Sequence, residues 1–545
     1  MNTIDLKKDF FGRKNVLNLL SRRVAGLKEG YRQNVAILGN RFIGKSSVIY
    51  KFLADLDDDS VAEIYLDLGN KDVEYLFAKF MGSLLHSYAG FKKLPLQEDL
   101  KLLIESTQKF IPQTIEEIKK IRTELAKGKL SESYRGLLSL PEVFTAETGL
   151  FCVIILDEFH HLEELGIADV FVELGKKIMT QKKCLYIVTS SLPFAAKKIL
   201  SEKLSLLFGN FETIYLGPFD LTTSQEFIEH HLGEVKISVS LRNFLTDFTG
   251  GYPLYLHLIC QEMIALSAFH RQTEVFLSLV TQAIENTVFG PWGVISRHFE
   301  FMLQHLCEGK GNRISALIFL AIASGRHKLR DISLYVGGSQ KLLLQRLVRL
   351  QETGLIVKNG LFYHLDDKLL RYWIKYVYHR RLKAMELSFE KLRLEFRAEV
   401  EHSYENFNLA AGQGFMARVI GLLQCFDNEA LSINGRKYKL PFFRNIVPVK
   451  LDPSSSRPIE MIKGTTSEGD WFIVLDDQSL GEGDLSVFLS ESKKISKRPS
   501  QRLIISLTDI DPNARLKALE ERMWIWNEGE LNTLMNIFDQ PYIVK

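Results

Sequence analysis

The chain carries Gly39-Asn40-Arg41-Phe42-Ile43-Gly44-Lys45-Ser46, followed by Ser47, a glycine-rich loop that closes on a lysine and two hydroxyls. Gly39 and Gly44 let the backbone curl so that successive N–H groups point into one concavity, the geometry phosphate oxygens need. A helix starting there adds the positive end of its dipole. Lys45 would reach the β- and γ-phosphates of a nucleoside triphosphate, and the Ser46 hydroxyl would ligate Mg²⁺. The flanks suit this reading. Asn34–Leu38 is a short apolar run of strand type, and Ser47–Leu53 places its apolar residues on one helical face. Gly39 through Ser47 are therefore the expected ATP contacts.

A second set of groups lies farther along. Leu150–Leu156 is continuously apolar, as a strand buried on both faces requires, and it ends in Asp157-Glu158. Carboxylates at the carboxyl end of such a strand sit at the rim where open α/β sheets bind ligands. Asp157 would hold Mg²⁺ together with Ser46, and Glu158 would orient or polarise the attacking water. A third apolar run, Cys184–Val188, ends in Thr189-Ser190-Ser191. Ser190 is the candidate there to sense a terminal phosphate, although serine and threonine also open loops for ordinary turn reasons.

These groups need a scaffold, and the rest of the chain supplies one. Apolar runs near 34–38, 61–67, 150–156 and 184–188 alternate with helical stretches, a pattern that predicts a parallel sheet covered by helices. Thr213–Leu216 reads as one more strand. Between the second and third strands, residues 90–145 are rich in Lys and Glu at helical spacing and are expected to form a solvated helical pair. Residues 223–305 are helical by period, with Gly250-Gly251-Tyr252-Pro253 as a turn into a helix.

Residues 311–381 stand apart in charge, with thirteen Lys and Arg against four Asp and Glu. That surplus exceeds the net +3 of the whole chain, so the remainder is net acidic. Helices are expected at Ile314–Ala323 and Ser339–Glu352, followed by a hairpin over Leu355–Leu365 turning at Asn359-Gly360. This is the make-up of a winged helix. Lys341, Gln345, Arg346 and Arg349 share the polar side of the second helix, where a recognition helix meets DNA, and Lys358 marks the wing. The Tyr372-Trp373 helix reads as core. A charged helix over 379–402 leads to a last region with strands expected at 471–475, 486–489 and 503–507, and helices at 514–522 and 528–538.

Bulk properties narrow the class. Five scattered cysteines, none in a C-x-x-C pair, argue against a disulfide framework or a zinc site. Met1–Asp9 has no apolar signal core, and the longest apolar stretch, Ile314–Ala323, is too short to span a bilayer. The expectation is a cytoplasmic protein with no membrane partner.

In this order, the nucleotide site, helical segment and winged helix resemble the archaeal-type ATPases on the STAND/AAA+ side of the P-loop NTPases, through most of residues 9–380. Phe11-Gly12-Arg13, Gly39–Ser47, Asp157-Glu158, Gly250–Pro253 and Tyr372-Trp373 carry the resemblance. It implies an α/β fold with five parts: a P-loop ATPase domain at 1–222, a helical lid at 223–305, a winged helix at 306–381, a helical linker at 382–402 and a C-terminal α/β domain at 403–545. It also implies that Arg13 lies by the adenine.

Two departures matter. Ring-forming relatives supply an arginine finger from the region between the third and fifth strands, yet no arginine occurs from residue 136 to 241. A slow, nucleotide-dependent switch is expected rather than a fast ring motor. Many relatives also end in a PD-(D/E)xK nuclease domain, for which Asp470, Glu491 and Lys493 are the candidates here. The relatives' helix glutamate falls on Met416, so a degenerate, binding-only domain is the expectation. Together these features predict an ATP- and Mg²⁺-binding switch ATPase acting on duplex DNA. The alternative is a signalling or scaffold ATPase that docks a protein partner or a second copy of itself.

Overall fold

The computed structural model describes residues 10–543, apart from Asn70 and the segments 205–210, 308–312, 384–387, 434–435, 451–459, 478–479, 497–498 and 509. Met1–Asp9, and residues 384–387 of the charged helix expected at 379–402, lie outside the described residues. The chain divides into two compact units: residues up to Pro218 with Glu352–Gly354, and all the rest.

In the first unit, β1 (Asn34–Leu38), β2 (Val61–Asp67), β3 (Phe151–Asp157), β4 (Cys184–Ser190) and β5 (Phe211–Tyr215) form one sheet in the order β2-β3-β4-β1-β5. Every neighbouring pair is parallel. β1 and β4 are buried along their whole length, which is why their sequences are apolar without alternation. Their carboxyl ends, with that of β3, form the rim that carries the candidate site.

The charged insert differs from the solvated pair expected of it. It holds three helices, Leu100–Thr107, Pro112–Ala126 and Leu130–Thr148. Ile115, Ile118, Ile121, Leu137 and Phe144 are fully buried in the same cluster as the sheet residues Ile64 and Ile154. The Lys and Glu residues coat the outer face of an amphipathic stripe, and composition alone hides the stripe.

The second unit opens with the helices Leu221–Leu232, Val239–Thr249, Pro253–His270, Leu277–Ile284 and Val294–Cys307, plus a short parallel pair, β6 (Lys236–Ile237) and β7 (Glu274–Val275). Gly251 has φ 73, and a Cβ there would lie 2.4 Å from the Phe219 carbonyl oxygen, so this turn requires glycine. Next come helices Arg313–Ala323, Leu329–Val336 and Gln340–Glu352, and the antiparallel hairpin of β8 (Ile356–Asn359) and β9 (Phe362–Leu365). Trp373 is fully buried in the following helix, a core residue as its aromatic company indicated.

His364 on β9 is 4% exposed, and burial pushes its imidazole down to about 4. The unfolded chain takes up that proton near pH 6.5, so the contribution of this residue to stability is complete above 6.5 and is lost as pH falls toward 4. Nearby Asp367, pushed up to about 6 by burial, works in the opposite sense. A His364→Phe protein should therefore lose less stability than the parent between pH 6.5 and 4. Urea unfolding across that range measures the difference, and parallel pH curves would refute it.

Beyond helices Phe389–Ala411 and Phe415–Gln424 lies a second antiparallel hairpin, β10 (Glu429–Ile433) with β11 (Arg436–Leu440). The final sheet runs β12 (Asn445–Lys450), β13 (Glu460–Thr466), β14 (Gly469–Asp476), β15 (Gln501–Ser506) and β16 (Trp524–Trp526) in sequence order. β13 is antiparallel to both neighbours, and β14, β15 and β16 pair in parallel. Residues 486–489, expected as a strand, lie inside the helix Glu482–Ile495. Leu485, Phe488, Leu489 and Ser492 are its buried residues, spaced at helical intervals, and Asp484 closes a cap on the Gly481 N–H. No helix among the described residues is long and apolar enough to cross a membrane.

Candidate functional site

The loop after β1 turns through two left-handed residues, Phe42 (φ 66) and Gly44 (φ 92), before the helix Lys45–Asp55 begins. A bulky residue in that region is a strained choice, of the kind found at ligand-binding loops. Gly39 is constrained differently: a Cβ would lie 2.3 Å from the Leu216 carbonyl oxygen. Its N–H donates to Ser190 O at 3.2 Å, tying the loop to the end of β4.

Lys45 is 5% exposed, and its ammonium donates to the Gly39 and Asn40 carbonyls at 3.0 Å each. Glu158 Oε1 stands 3.8 Å from the same Nζ. Burial lowers the Lys45 pKa, and the charges of Glu158 and Asp157 oppose that shift. A buried cation with two carbonyls and a carboxylate close by is poised to take an anionic ligand.

Asp157 is 2% exposed and nearly saturated as an acceptor. Ser46 Oγ donates to its Oδ2 at 2.8 Å and the Tyr65 phenol at 2.9 Å, while Thr189 Oγ1 donates to Oδ1. Ser46 and Asp157 thus place a hydroxyl and a carboxylate side by side, two hard oxygen donors that fit Mg²⁺. Among the described residues no group of three or more His, Cys, Asp or Glu could hold a metal, so an ion here would share its remaining positions with water and phosphate.

Glu158 adopts a left-handed backbone (φ 56), and its Oε2 accepts the Ser191 N–H at 2.7 Å. Its own N–H donates to Thr189 Oγ1 at 3.1 Å. The residues named from the sequence therefore meet: Lys45, Ser46, Asp157, Glu158 and Ser190 converge on the rim of β1, β3 and β4. Arg13 donates to the carbonyls of Ile43 and Gly217, against the loop rather than away from it. Arg41 and Ser47 point to the exposed side. Sequence reasoning missed Tyr65, which closes the Asp157 shell from the end of β2, and His160. Neither belongs to a motif read above, although His160 stands only two residues past Glu158.

Each C-terminal candidate is ion-paired with a residue outside the set. Asp470 pairs with Lys463 at 3.0 Å, Glu491 with Lys494 at 2.6 Å, and Lys493 with Glu521 at 3.7 Å. Glu491 and Lys493 sit on the helix Glu482–Ile495 instead of on a strand end, which removes the geometry the motif needs. Met416 packs against the apolar core of this region.

In the basic block, five of the thirteen cations form ion pairs with residues outside it: Lys328 with Asp427 and Glu429, Lys368 with Asp247, Arg371 with Asp539, Arg380 with Glu395 and Glu399, and Arg381 with Glu300. Lys341, Gln345 and Arg349 remain exposed on the helix Gln340–Glu352, with Arg346 half-buried. The Lys358 ammonium lies over the Tyr363 ring. The hairpin tip is covered. Asn359 exchanges two hydrogen bonds with the Ser432 backbone, at 2.7 and 2.6 Å, and a Cβ on Gly360 would overlap the Ala430 carbonyl oxygen.

No protein-family model matches the chain, and no curated protein does. Among solved structures, a Walker-type ATPase of Pyrococcus abyssi is similar at 20% identity and a TM-score of 0.48, over 68% of this chain and 97% of that one. The ORC2 protein of Aeropyrum pernix, in ADPNP–ADP complexes, is similar at 12% identity and a TM-score of 0.41, over 70% and 98%. The ORC1 protein of the same organism, in complex with DNA, is similar at 13% identity and a TM-score of 0.38, over 68% and 94%.

Proposed function

We propose that this chain is an ATP-binding, slowly hydrolysing switch ATPase whose nucleotide state governs its grip on duplex DNA. The observation that carries the reading is the cluster at the rim of a parallel sheet in which Ser46 hydrogen-bonds Asp157 and Lys45 is ion-paired with Glu158, beside a loop wound through Phe42 and Gly44. In this reading the N–H groups of residues 39–46 cradle the phosphates, and Lys45 exchanges part of its carbonyl shell for phosphate oxygens. Ser46 and Asp157 would hold Mg²⁺, which supplies positive charge to the phosphate oxygens when bound. Glu158 leaves the Ser191 N–H and takes up a proton from the attacking water. Arg13 lies by the base. With no arginine between residues 136 and 241, the chain offers no fork from that stretch to a neighbour's nucleotide, and slow turnover follows.

For DNA, the exposed Lys341, Gln345 and Arg349, with Arg346, are the face of a winged helix. The covered tip of the wing leaves the helix as the main contact, with Lys358 at its edge. The C-terminal domain acts as a degenerate, binding-only module. The second reading, docking of a protein partner or a second copy, is favoured by Leu342 and Val348, which are 51% and 54% exposed on the same helix.

Salt separates the two. Replacing Arg346 and Arg349 by Ala should weaken duplex binding for every sequence and flatten the slope of log K against log salt by roughly 1.8, the yield of two lost phosphate contacts. A double variant that binds DNA with the slope of the parent would move this face to a protein partner. ATP–Mg²⁺ titrated into the intact protein tests the nucleotide half, and no binding would end the proposal.

A further inference from the structure

His160 is 7% exposed and sits in the short turn Phe159–Leu165, which Glu158 opens from its left-handed conformation. Its Nδ1 lies 2.9 Å from Ser190 Oγ and 3.5 Å from Glu158 Oε2. Ser190 Oγ already accepts the Leu192 N–H at 3.1 Å, so its own proton has two acceptors to choose from. One is His160 Nδ1 at 2.9 Å, the other Leu192 O at 3.4 Å. In the tautomer in which Nδ1 accepts this shorter contact, the ring hydrogen resides on Nε2.

That nitrogen is buried and has no hydrogen-bond partner among the described residues. The ring is neutral, since burial and then the charge of His161 push it down to about 4, and Arg41 and Lys45 of the loop add to the effect. The ring stands beside the loop lysine through one carboxylate: Glu158 Oε2 is 3.5 Å from Nδ1, and Glu158 Oε1 is 3.8 Å from Lys45 Nζ. A buried N–H without an acceptor bears its full desolvation penalty, and such groups persist where a ligand completes them. The acceptor this corner is built to receive is an anionic oxygen.

We propose that His160 donates from Nε2 to the terminal phosphate of bound ATP while its Nδ1 holds Ser190 beside Glu158. The inference rests on the ATPase reading and adds to it a residue that tells ATP from ADP. ADP lacks the phosphate that Nε2 would meet, so Nε2 stays unpaired in that complex. Loss of the imidazole would therefore weaken ATP selectively and leave ADP alone. It would also slow turnover, because Ser190 and Glu158 lose their shared neighbour.

Calorimetric titration of the full chain with ADP–Mg²⁺ and with the non-hydrolysable AMP-PNP–Mg²⁺ tests this directly. His160→Ala should bind AMP-PNP about tenfold more weakly, roughly the worth of one hydrogen bond to a charged group, with ADP affinity unchanged. Its kcat should fall at least about tenfold. His160→Gln, whose amide N–H can stand near the position of Nε2, should recover most of the AMP-PNP affinity while kcat stays low, because it places nothing where Nδ1 meets Ser190. Equal weakening of ADP and AMP-PNP, no weakening of either, or a Gln variant no better than Ala would overturn the assignment and leave His160 a packing residue. A parent that binds neither nucleotide would overturn the ATPase reading itself, and this assignment with it.

Discussion

A Lys45→Ala protein is expected to bind ATP–Mg²⁺ at least about a hundredfold more weakly than the parent, whereas Glu158→Gln should bind normally and hydrolyse at least about a hundredfold more slowly. Lys45 is buried, and its ammonium is held by two loop carbonyls. Removing one partner of a buried, hydrogen-bonded charge contact costs roughly 2–5 kcal/mol, and 2.7 kcal/mol is already a factor of about a hundred. Glu158 carries no such binding role. Its carboxylate rests on the Ser191 N–H, 3.8 Å from the Lys45 ammonium, and Gln keeps its size while losing its capacity to accept a proton. General-base contributions run to about 10²–10⁴-fold. Equilibrium binding of a fluorescent ATP analogue and steady-state phosphate release separate the two effects. Unchanged turnover in Glu158→Gln would remove the water-activating role, and full affinity in Lys45→Ala would remove the phosphate site.

Lys368→Ala should destabilise the second unit by about 3–5 kcal/mol, the usual cost of stranding one member of a buried ion pair. The Lys368 and Asp247 side chains are 10% and 13% exposed and paired to each other. Asp247 also accepts the Tyr542 N–H at 2.7 Å, and the ammonium lies 3.8 Å from the centre of the Tyr542 ring. The last described segment of the chain is thus anchored on this buried charge pair, together with Arg418, which donates to the Pro541 and Tyr542 carbonyls, and Arg371, which bonds Asp539 and the Asn536 carbonyl. Without Lys368, Asp247 keeps a single N–H donor for a buried charge. Adding Asp247→Asn should recover a good part of the loss, because the carboxylate is then gone. Urea unfolding and limited proteolysis of the C-terminal segment report both changes. A Lys368→Ala protein within about 1 kcal/mol of the parent would show that the pair behaves as a solvated one.

The local signals are strong for a physical reason. The loop at Gly39–Ser46 needs residue types that few other structures need, a glycine for the left-handed turn at Gly44 and another where Leu216 crowds Gly39. The buried strands β1, β3 and β4 are continuously apolar except for polar residues at one end, so their period does not mislead. Where two periods fit, the sequence was ambiguous. Leu485–Leu489 is short enough to pass for a strand, and only the burial of Leu485, Phe488, Leu489 and Ser492 on one face shows the helix. The hairpin of β10 and β11 carries a local signal in the sequence, an Asn434-Gly435 dipeptide between alternating runs. The charge surplus of residues 311–381 was visible, but its distribution was not: Lys328, Lys368, Arg371, Arg380 and Arg381 turn to acidic partners as far away in sequence as Asp539.

The sequence by itself determined the glycine loop at Gly39–Ser46, the carboxylate pair at the end of β3 and the alternation that builds a parallel sheet, because each depends on neighbours in the chain. Tertiary structure decided the rest of the site. The sheet order β2-β3-β4-β1-β5 sets β4 between β3 and β1, which brings Thr189 and Ser191 to Asp157 and Glu158 and Ser190 to His160, and it sets β2 beside β3, which brings Tyr65 to Asp157 across 92 residues. Hydrogen bonds between strand ends follow from which strands are adjacent, and in a sheet with a crossover adjacency is a property of the packed core, where no local pattern records it.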